Sequence, residues 1–194
     1  MQRTCFMKGR KASMNSTLTI RLATKADVPA VEQVLLEGKA SIAKLGIAQW
    51  QSDGYPSRAV VMNDIDAGAC YLAEDADGTP LGTIALLFDG DSTYDDIDGA
   101  WLTDSTSAAP RYGTLHRTAV SRSAARRGVM SALFAEAERI AREQGAESLR
   151  ADTHPGNTPM RRLLERLGFT ECGIVTLERD EPEPERVAYE KLLR

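Results

Sequence analysis

The chain has 194 residues, 42% hydrophobic and 27% charged, with a net charge of −4, which is enough for one domain with a substantial core. No apolar run approaches the roughly 20 residues that span a bilayer, and the acidic balance excludes a protein that grips nucleic acid through a basic face. Three widely spaced cysteines, Cys5, Cys70 and Cys172, form neither a disulfide framework nor a zinc pattern, so the chain reads as cytoplasmic and metal-free.

Met1 to Asn15 is basic but lacks the apolar core of a secretory signal. Residues 1–16 are expected to be a disordered N-terminal extension, with Met14 an alternative start, and 17–194 a single domain. Thr17 to Leu22 alternates apolar and polar residues, as a half-buried strand does. Thr24 then caps a helix whose apolar positions Val28, Val31, Val34, Leu35 and Ile42 recur at helical spacing until Gly46 stops it. Gln49 to Pro56 is a loop, and Ser57 caps a second, shorter helix that ends at Gly68.

Ala69 to Glu74 and Pro80 to Phe88 read as a hairpin across the turn Asp75-Ala76-Asp77-Gly78. A long acidic loop follows, with Asp89, Asp91, Asp95, Asp96 and Asp98 beside Tyr94 and Trp101. Tyr112 to Val120 is a strand, Gly128 to Gln144 an amphipathic helix, Ser148 to Asp152 a short strand and Asn157 to Leu167 a helix ended by Gly168. Thr170 to Leu177 and Val187 to Leu193 form a closing strand pair. Strands interspersed with helices require both hairpins and crossovers, which predicts an α/β (α+β) fold: a mixed sheet with helices on both faces. The crossover from Leu115 to Asp152 should be parallel and right-handed.

The turn Ser121 to Gly128 joins a strand end directly to a helix start and carries Arg122, Arg126 and Arg127. The first turn of a helix has N–H groups with no intrahelical partner and a positive dipole end. With arginines beside it, such a turn suits a phosphate-bearing ligand.

Taken in order, these residues resemble the GCN5-related N-acetyltransferase (GNAT) superfamily. The likeness rests on Leu115-His116-Arg117-Thr118-Ala119-Val120 leading into Arg126-Arg127-Gly128-Val129-Met130-Ser131, on Asn157 opening a helix eleven residues before Gly168-Phe169, and on the closing strand pair. It covers about Leu18 to Leu193. The resemblance implies a mostly antiparallel, twisted sheet, acetyl-CoA as co-substrate and a small-molecule or peptide amine as acceptor. The family's phosphate signature, Gln/Arg-x-x-Gly-x-Gly/Ala, falls on Ala125 to Met130, where only Gly128 matches. Arg126, Arg127, Gly128, Val129, Met130 and Ser131 would hold the pyrophosphate. The main chain of Thr118, Ala119 and Val120 would hold the pantetheine arm, with an N–H near Val120 on the thioester oxyanion. Asn157 would contact the pantetheine or the neighbouring backbone. The tyrosine that many relatives place seven residues later is Leu164 here.

The general base is read from residue chemistry. His116 sits on the strand entering the site, and an imidazole titrates in the range needed to take a proton from an ammonium. Its plain alternative is a strand histidine satisfied by a backbone group or by Asp152. His154 follows a strand end, where ligand sites collect, or is a locally paired turn residue. Asp152 orients either imidazole or caps the loop. Asn157 is in any case a good N-cap. Trp50, Tyr55, Tyr94 and Trp101 would wall an acceptor pocket or pack ordinarily. The acidic loop is a solvated segment or draws in a cationic acceptor. Two functions follow: an N-acetyltransferase using direct attack, with catalytic residues His116, His154 and Asp152, or a non-catalytic acyl-CoA-binding domain. The C-terminal strands could pair two protomers into a homodimer.

Overall fold

Eight strands form one continuous sheet in the computed structural model, which describes residues 18–52, 54–178 and 181–193. The extension expected over residues 1–16 lies outside the described residues. The strands are β1 (Thr19–Leu22), β2 (Cys70–Glu74), β3 (Pro80–Leu87), β4 (Ile97–Gly99), β5 (Tyr112–Val120), β6 (Ser148–Thr153), β7 (Thr170–Thr176) and β8 (Glu185–Leu192). The helices are α1 (Val28–Ala43), α2 (Arg58–Asp66), α3 (Val129–Glu143) and α4 (Thr158–Arg166). The sheet order is β1-β2-β3-β5-β6-β8-β7-β4, and every pair is antiparallel except β5–β6. The mixed, mostly antiparallel sheet and the parallel crossover are therefore as expected. The three-residue β4, inside the acidic loop, is an addition to the expected strands.

Local chemistry fixes the joints. The Asp75 carboxylate accepts from the N–H groups of Asp77 and Thr79 at 3.1 and 2.9 Å, closing the β2–β3 hairpin. Ser57 Oγ accepts from Val60 N–H at 3.3 Å and opens α2, and Asn157 Oδ1 does the same for Met160 N–H at 3.3 Å in α4.

Adjacent strand residues bury into opposite layers, because successive side chains point to opposite faces. Leu72 joins Val31, Val34, Leu35 and Val61 of α1 and α2, whereas Ala73 joins Leu133, Phe134, Leu163 and Leu164 of α3 and α4. Likewise Leu115 packs on the α3/α4 side, and Tyr112 packs on the other with Tyr94, Val175 and Ala188. The long loop between β3 and β5 thus covers the part of the sheet that α1 and α2 leave open.

That loop is held by a buried ion pair. Arg150 and Glu190 are both fully buried, with Nε 3.1 Å from Oε1. The guanidinium lies between the rings of Trp101 and Tyr112, 4.2 and 4.0 Å from their centroids. Glu190 also accepts from Leu102 N–H, Thr103 N–H and the hydroxyls of Thr103 and Ser148. These bonds satisfy the carboxylate and pin residues 101–103 to β6 and β8. Of the two alternatives for Trp101, an acceptor wall or ordinary packing, the structure has the second.

Candidate active site

β5 and β6 pair from Tyr112↔Ser148 to Leu115↔Ala151 and no further, although β5 continues to Val120 and β6 to Thr153. Beyond Leu115, β5 pairs only with β3, so its other edge has main-chain groups without a strand partner. Pairing with β3 slips between Thr83 and Ala85, which face Ala119 and His116. This is a β-bulge, and Arg117 within it has φ 48°. The parted strands leave a cavity of about 240 Å³ lined from both faces of the sheet.

Alternation decides which residue reaches which side. Leu115, Ala151 and Thr153 share the face packed by Phe134, Met160 and Leu164, all of which line the cavity. His116 and Asp152 lie on the opposite face, with Asp91, Thr93 and Glu178 of the loops. The cavity therefore connects the α3/α4 side to the loop side through the sheet.

His116 Nε2 stands 3.0 Å from Asp91 Oδ2, with side-chain exposures of 22% and 23%. The other Asp91 oxygen caps the short 3-10 turn Ser92–Tyr94 by accepting from Thr93 N–H at 2.9 Å. Burial opposes charge on Asp91, but the hydrogen bond and charge of His116, with the Thr93 bonds, outweigh it and hold the carboxyl below its usual range. Tyr94 is fixed beside this pair. Its ring centroid is 6.3 Å from that of His116, and its hydroxyl donates to Asp152 at 2.8 Å. Asp152 thus meets neither imidazole. Asp91 holds His116, and Glu183 holds His154, with His154 Nε2 2.8 Å from Glu183 Oε2. His154 Nδ1 accepts from Gly156 N–H at 3.0 Å, so both ring nitrogens brace the β6–α4 loop beside the cavity.

Arg117 forms a fork on Asp64 of α2, Nε to Oδ2 at 2.5 Å and Nη2 to Oδ1 at 2.8 Å, and Nη1 donates to the Tyr55 hydroxyl at 3.3 Å. Burial pushes the Asp64 carboxyl above its usual range, and Arg117 offsets this only in part. Arg186 lies 2.7 Å from Glu181, both buried, and Glu181 also accepts from Trp50 N–H. Both arginines in the wall are therefore charge-compensated. Among the described residues, the carboxylates of Asp152 and Glu178 hydrogen-bond only the hydroxyls of Tyr94 and, at 3.4 Å, Ser92. The wall is net negative, and Trp50 and Tyr55 form its aromatic side.

A second hollow of about 240 Å³ continues from the first, sharing Ile42, Thr118, Asn157 and Met160. It runs between α1 and α4 along Ala119 and Val120 to Met130. Gly38 of α1 makes room: a Cβ there would lie 2.7 Å from Ala119 Cβ. At its end stands the turn. Arg126 and Gly128 both have positive φ, 63° and 79°, and Arg122, Ser123 and residues 125–128 are exposed. Ala132 N–H makes the first bond back, to Gly128 C=O, so the N–H groups of Val129, Met130 and Ser131 have no intrahelical acceptor. Glu37 of α1 fixes the turn by accepting from Arg122 N–H at 2.7 Å. Met130 is half-buried on the apolar wall of the hollow, below those donors. Asn157 uses both ends of its amide, capping α4 and donating through Nδ2 to Gln49 Oε1 at 2.9 Å. Gln49 carries no sequence signal. It is found only because the α1–α2 loop folds over the α4 N-terminus.

The arrangement offers a donor-rich turn, a partly apolar groove and, through the sheet, a histidine–carboxylate pair in an acidic chamber. The acetyltransferase (GNAT) family pattern matches residues 40–169. Among solved structures the chain is similar to a GNAT acetyltransferase from Streptococcus agalactiae 2603, at 32% identity and TM-score 0.77, over 90% of this chain and 95% of that one. A GNAT acetyltransferase from Listeria monocytogenes 4b F2365 shares 18% identity at TM-score 0.68, over 91% and 95%. The ribosomal-protein-S18-alanine N-acetyltransferase of Escherichia coli shares 14% at TM-score 0.64, over 91% and 94%. The last two likenesses speak for the fold alone. No curated protein sequence matches the chain.

Proposed function

The chain belongs to the acetyltransferase (GNAT) family, and on that premise we propose that it moves an acetyl group from acetyl-CoA to a primary amine by direct attack. The observation that carries this reading is the cavity through the parted strands, with His116 and Asp91 on one side and the groove from the Gly128 turn on the other.

The free N–H groups of Val129, Met130 and Ser131, with Arg126 and Arg127, receive the diphosphate. The pantetheine arm follows Thr118, Ala119 and Val120 past Asn157, and the unpaired main chain of β5 polarises the thioester carbonyl. His116 takes a proton from the bound ammonium. Asp91 orients the ring and stabilises the imidazolium that forms. Asp152 and Glu178 give the chamber a field that favours a cationic acceptor. His154 contributes by holding the β6–α4 loop.

The absence of a membrane-length apolar helix among the described residues and the free thiols Cys70 and Cys172 support a cytoplasmic setting. The sheet's outer strands are β1 and β4, while β7 and β8 are interior, so sheet pairing in a homodimer would use β1 or β4.

The test is thiol release from acetyl-CoA against a panel of primary amines, with matched cationic, neutral and carboxylate-bearing members. Turnover with cationic amines, lowered about 100-fold or more in His116→Gln, supports the reading. One observation favours a non-catalytic acyl-CoA-binding role: Leu164 stands in the cavity wall where many relatives carry a tyrosine. CoA binding with no turnover across the panel would establish that role instead.

A further inference from the structure

Thr153 ends β6 on the α3/α4 face of the sheet, within the wall of the cavity. Its side chain is 1% exposed, and Oγ1 makes no hydrogen bond among the described residues. A buried hydroxyl without a partner costs about 1–3 kcal/mol, so such a group in a cavity wall calls for an explanation, a ligand among them. The neighbours on its face, Leu115, Ala151, Phe134, Met160 and Leu164, are apolar. The groove from the Gly128 turn joins the cavity at Ile42, Thr118, Asn157 and Met160, and Met160 lies on this face, whereas His116 and Asp91 approach from the other.

We propose that the Thr153 hydroxyl donates a hydrogen bond to the CoA sulfur as it leaves. The inference rests on the acetyl-transfer reading above. The amine, having lost one proton to His116, attacks the thioester carbon. A C–N bond forms and the carbonyl pair moves onto oxygen. That pair returns as the C–S bond breaks, and the C–S electrons stay on sulfur. A thiol near pKa 8.5 is a far stronger acid than an alcohol, so Thr153 keeps its proton and shares it with the thiolate. The second proton of the attacking nitrogen passes through solvent to sulfur, giving amide and free thiol. Thr153 thus stabilises the leaving group from β6, on the apolar face where Leu164 has no donor to offer.

The experiment compares wild type, Thr153→Val and Thr153→Ser. Valine keeps the shape and removes a hydroxyl that has no partner to lose, so the melting temperature should stay level or rise. The kcat should fall about tenfold or more, the usual effect of losing a hydrogen bond to a charged group, with KM for acetyl-CoA within about twofold. Serine should recover most of the rate. The defect should shrink with the selenoester analogue of acetyl-CoA, whose leaving group is a weaker base. Ultraviolet titration of bound CoA should show its thiol more acidic in wild type than in Thr153→Val, a readout that needs no acceptor. An unchanged thiol titration, or an unchanged kcat in Thr153→Val, overturns the inference. So does a fall in melting temperature matched by equal rate losses in both variants. A shifted thiol titration with no amine turned over by wild type would retain the Thr153–sulfur contact and defeat the transfer reading instead.

Discussion

His116 Nε2 and Asp91 Oδ2 meet at 3.0 Å, across 25 residues of sequence and from different walls of one cavity. His116 comes from the strand that parts from β6, and Asp91 from the loop that covers the sheet. The pair exists only when that loop is seated. His116→Gln should lower kcat about 100-fold or more, the ordinary loss of a general base, with acetyl-CoA affinity unchanged. Asp91→Asn should cost roughly tenfold, the effect of a lost partner to an imidazolium. Thiol-release kinetics at saturating acetyl-CoA check both. Full activity in His116→Gln would remove the base from the account.

Asp91 also makes a prediction about acid stability. Its folded-state carboxyl titrates below the 3.8 of an ordinary aspartate. The charged form therefore contributes stability above pH 3.8, and this is lost as pH falls through the lower folded-state value. Urea unfolding should show wild type more stable than Asp91→Asn at neutral pH, with the gap closing in acid below 3.8. A gap that does not depend on pH would contradict the lowered Asp91 carboxyl.

The Arg150–Glu190 pair predicts a larger structural effect. Breaking a fully buried pair by removing one charge costs about 3–5 kcal/mol, and Glu190 accepts from four further donors. Glu190→Gln should therefore destabilise the fold by that order and loosen residues 101–103. Because the pair is buried, added salt should change little. Chemical denaturation at two ionic strengths measures both effects.

Two glycines along the groove should respond differently to alanine. Gly38 has an ordinary φ, but its new Cβ would lie 2.7 Å from Ala119 Cβ. Overpacking there should cost about 1–3 kcal/mol and raise KM for acetyl-CoA by moving α1. Gly128 meets nothing within 4 Å but holds φ 79°, so Gly128→Ala should cost roughly 1–2 kcal/mol of backbone strain and weaken coenzyme binding by distorting the turn. Denaturation curves with KM values for both variants test the contrast.

Much of the fold is legible in local chemistry. Asp75 and Gly78 announce the hairpin, and Asn157 and Gly168 bracket α4. The switch from strand to helical spacing around Gly128 marks the crossover. What is missed is set by distant partners. β4 is three residues, Ile97–Gly99, made a strand by pairing with β7. Asp91 looks like any residue of an acidic loop until the loop folds onto β5. Asp152 looks like a partner for histidine but is claimed by Tyr94, and Trp101 by Arg150, because the loop between β3 and β5 crosses the sheet where no sequence pattern records it. Trp50 and Tyr55 do reach the cavity, since the turn after α1 leads directly there.

A crystal structure of the protein grown with CoA would test the central claim most directly. The diphosphate should lie on the N–H groups of Val129 to Ser131 and the sulfur between β5 and β6, within reach of Thr153 and facing His116 through the sheet. A coenzyme bound elsewhere, or kept from the groove by Met130, would contradict it.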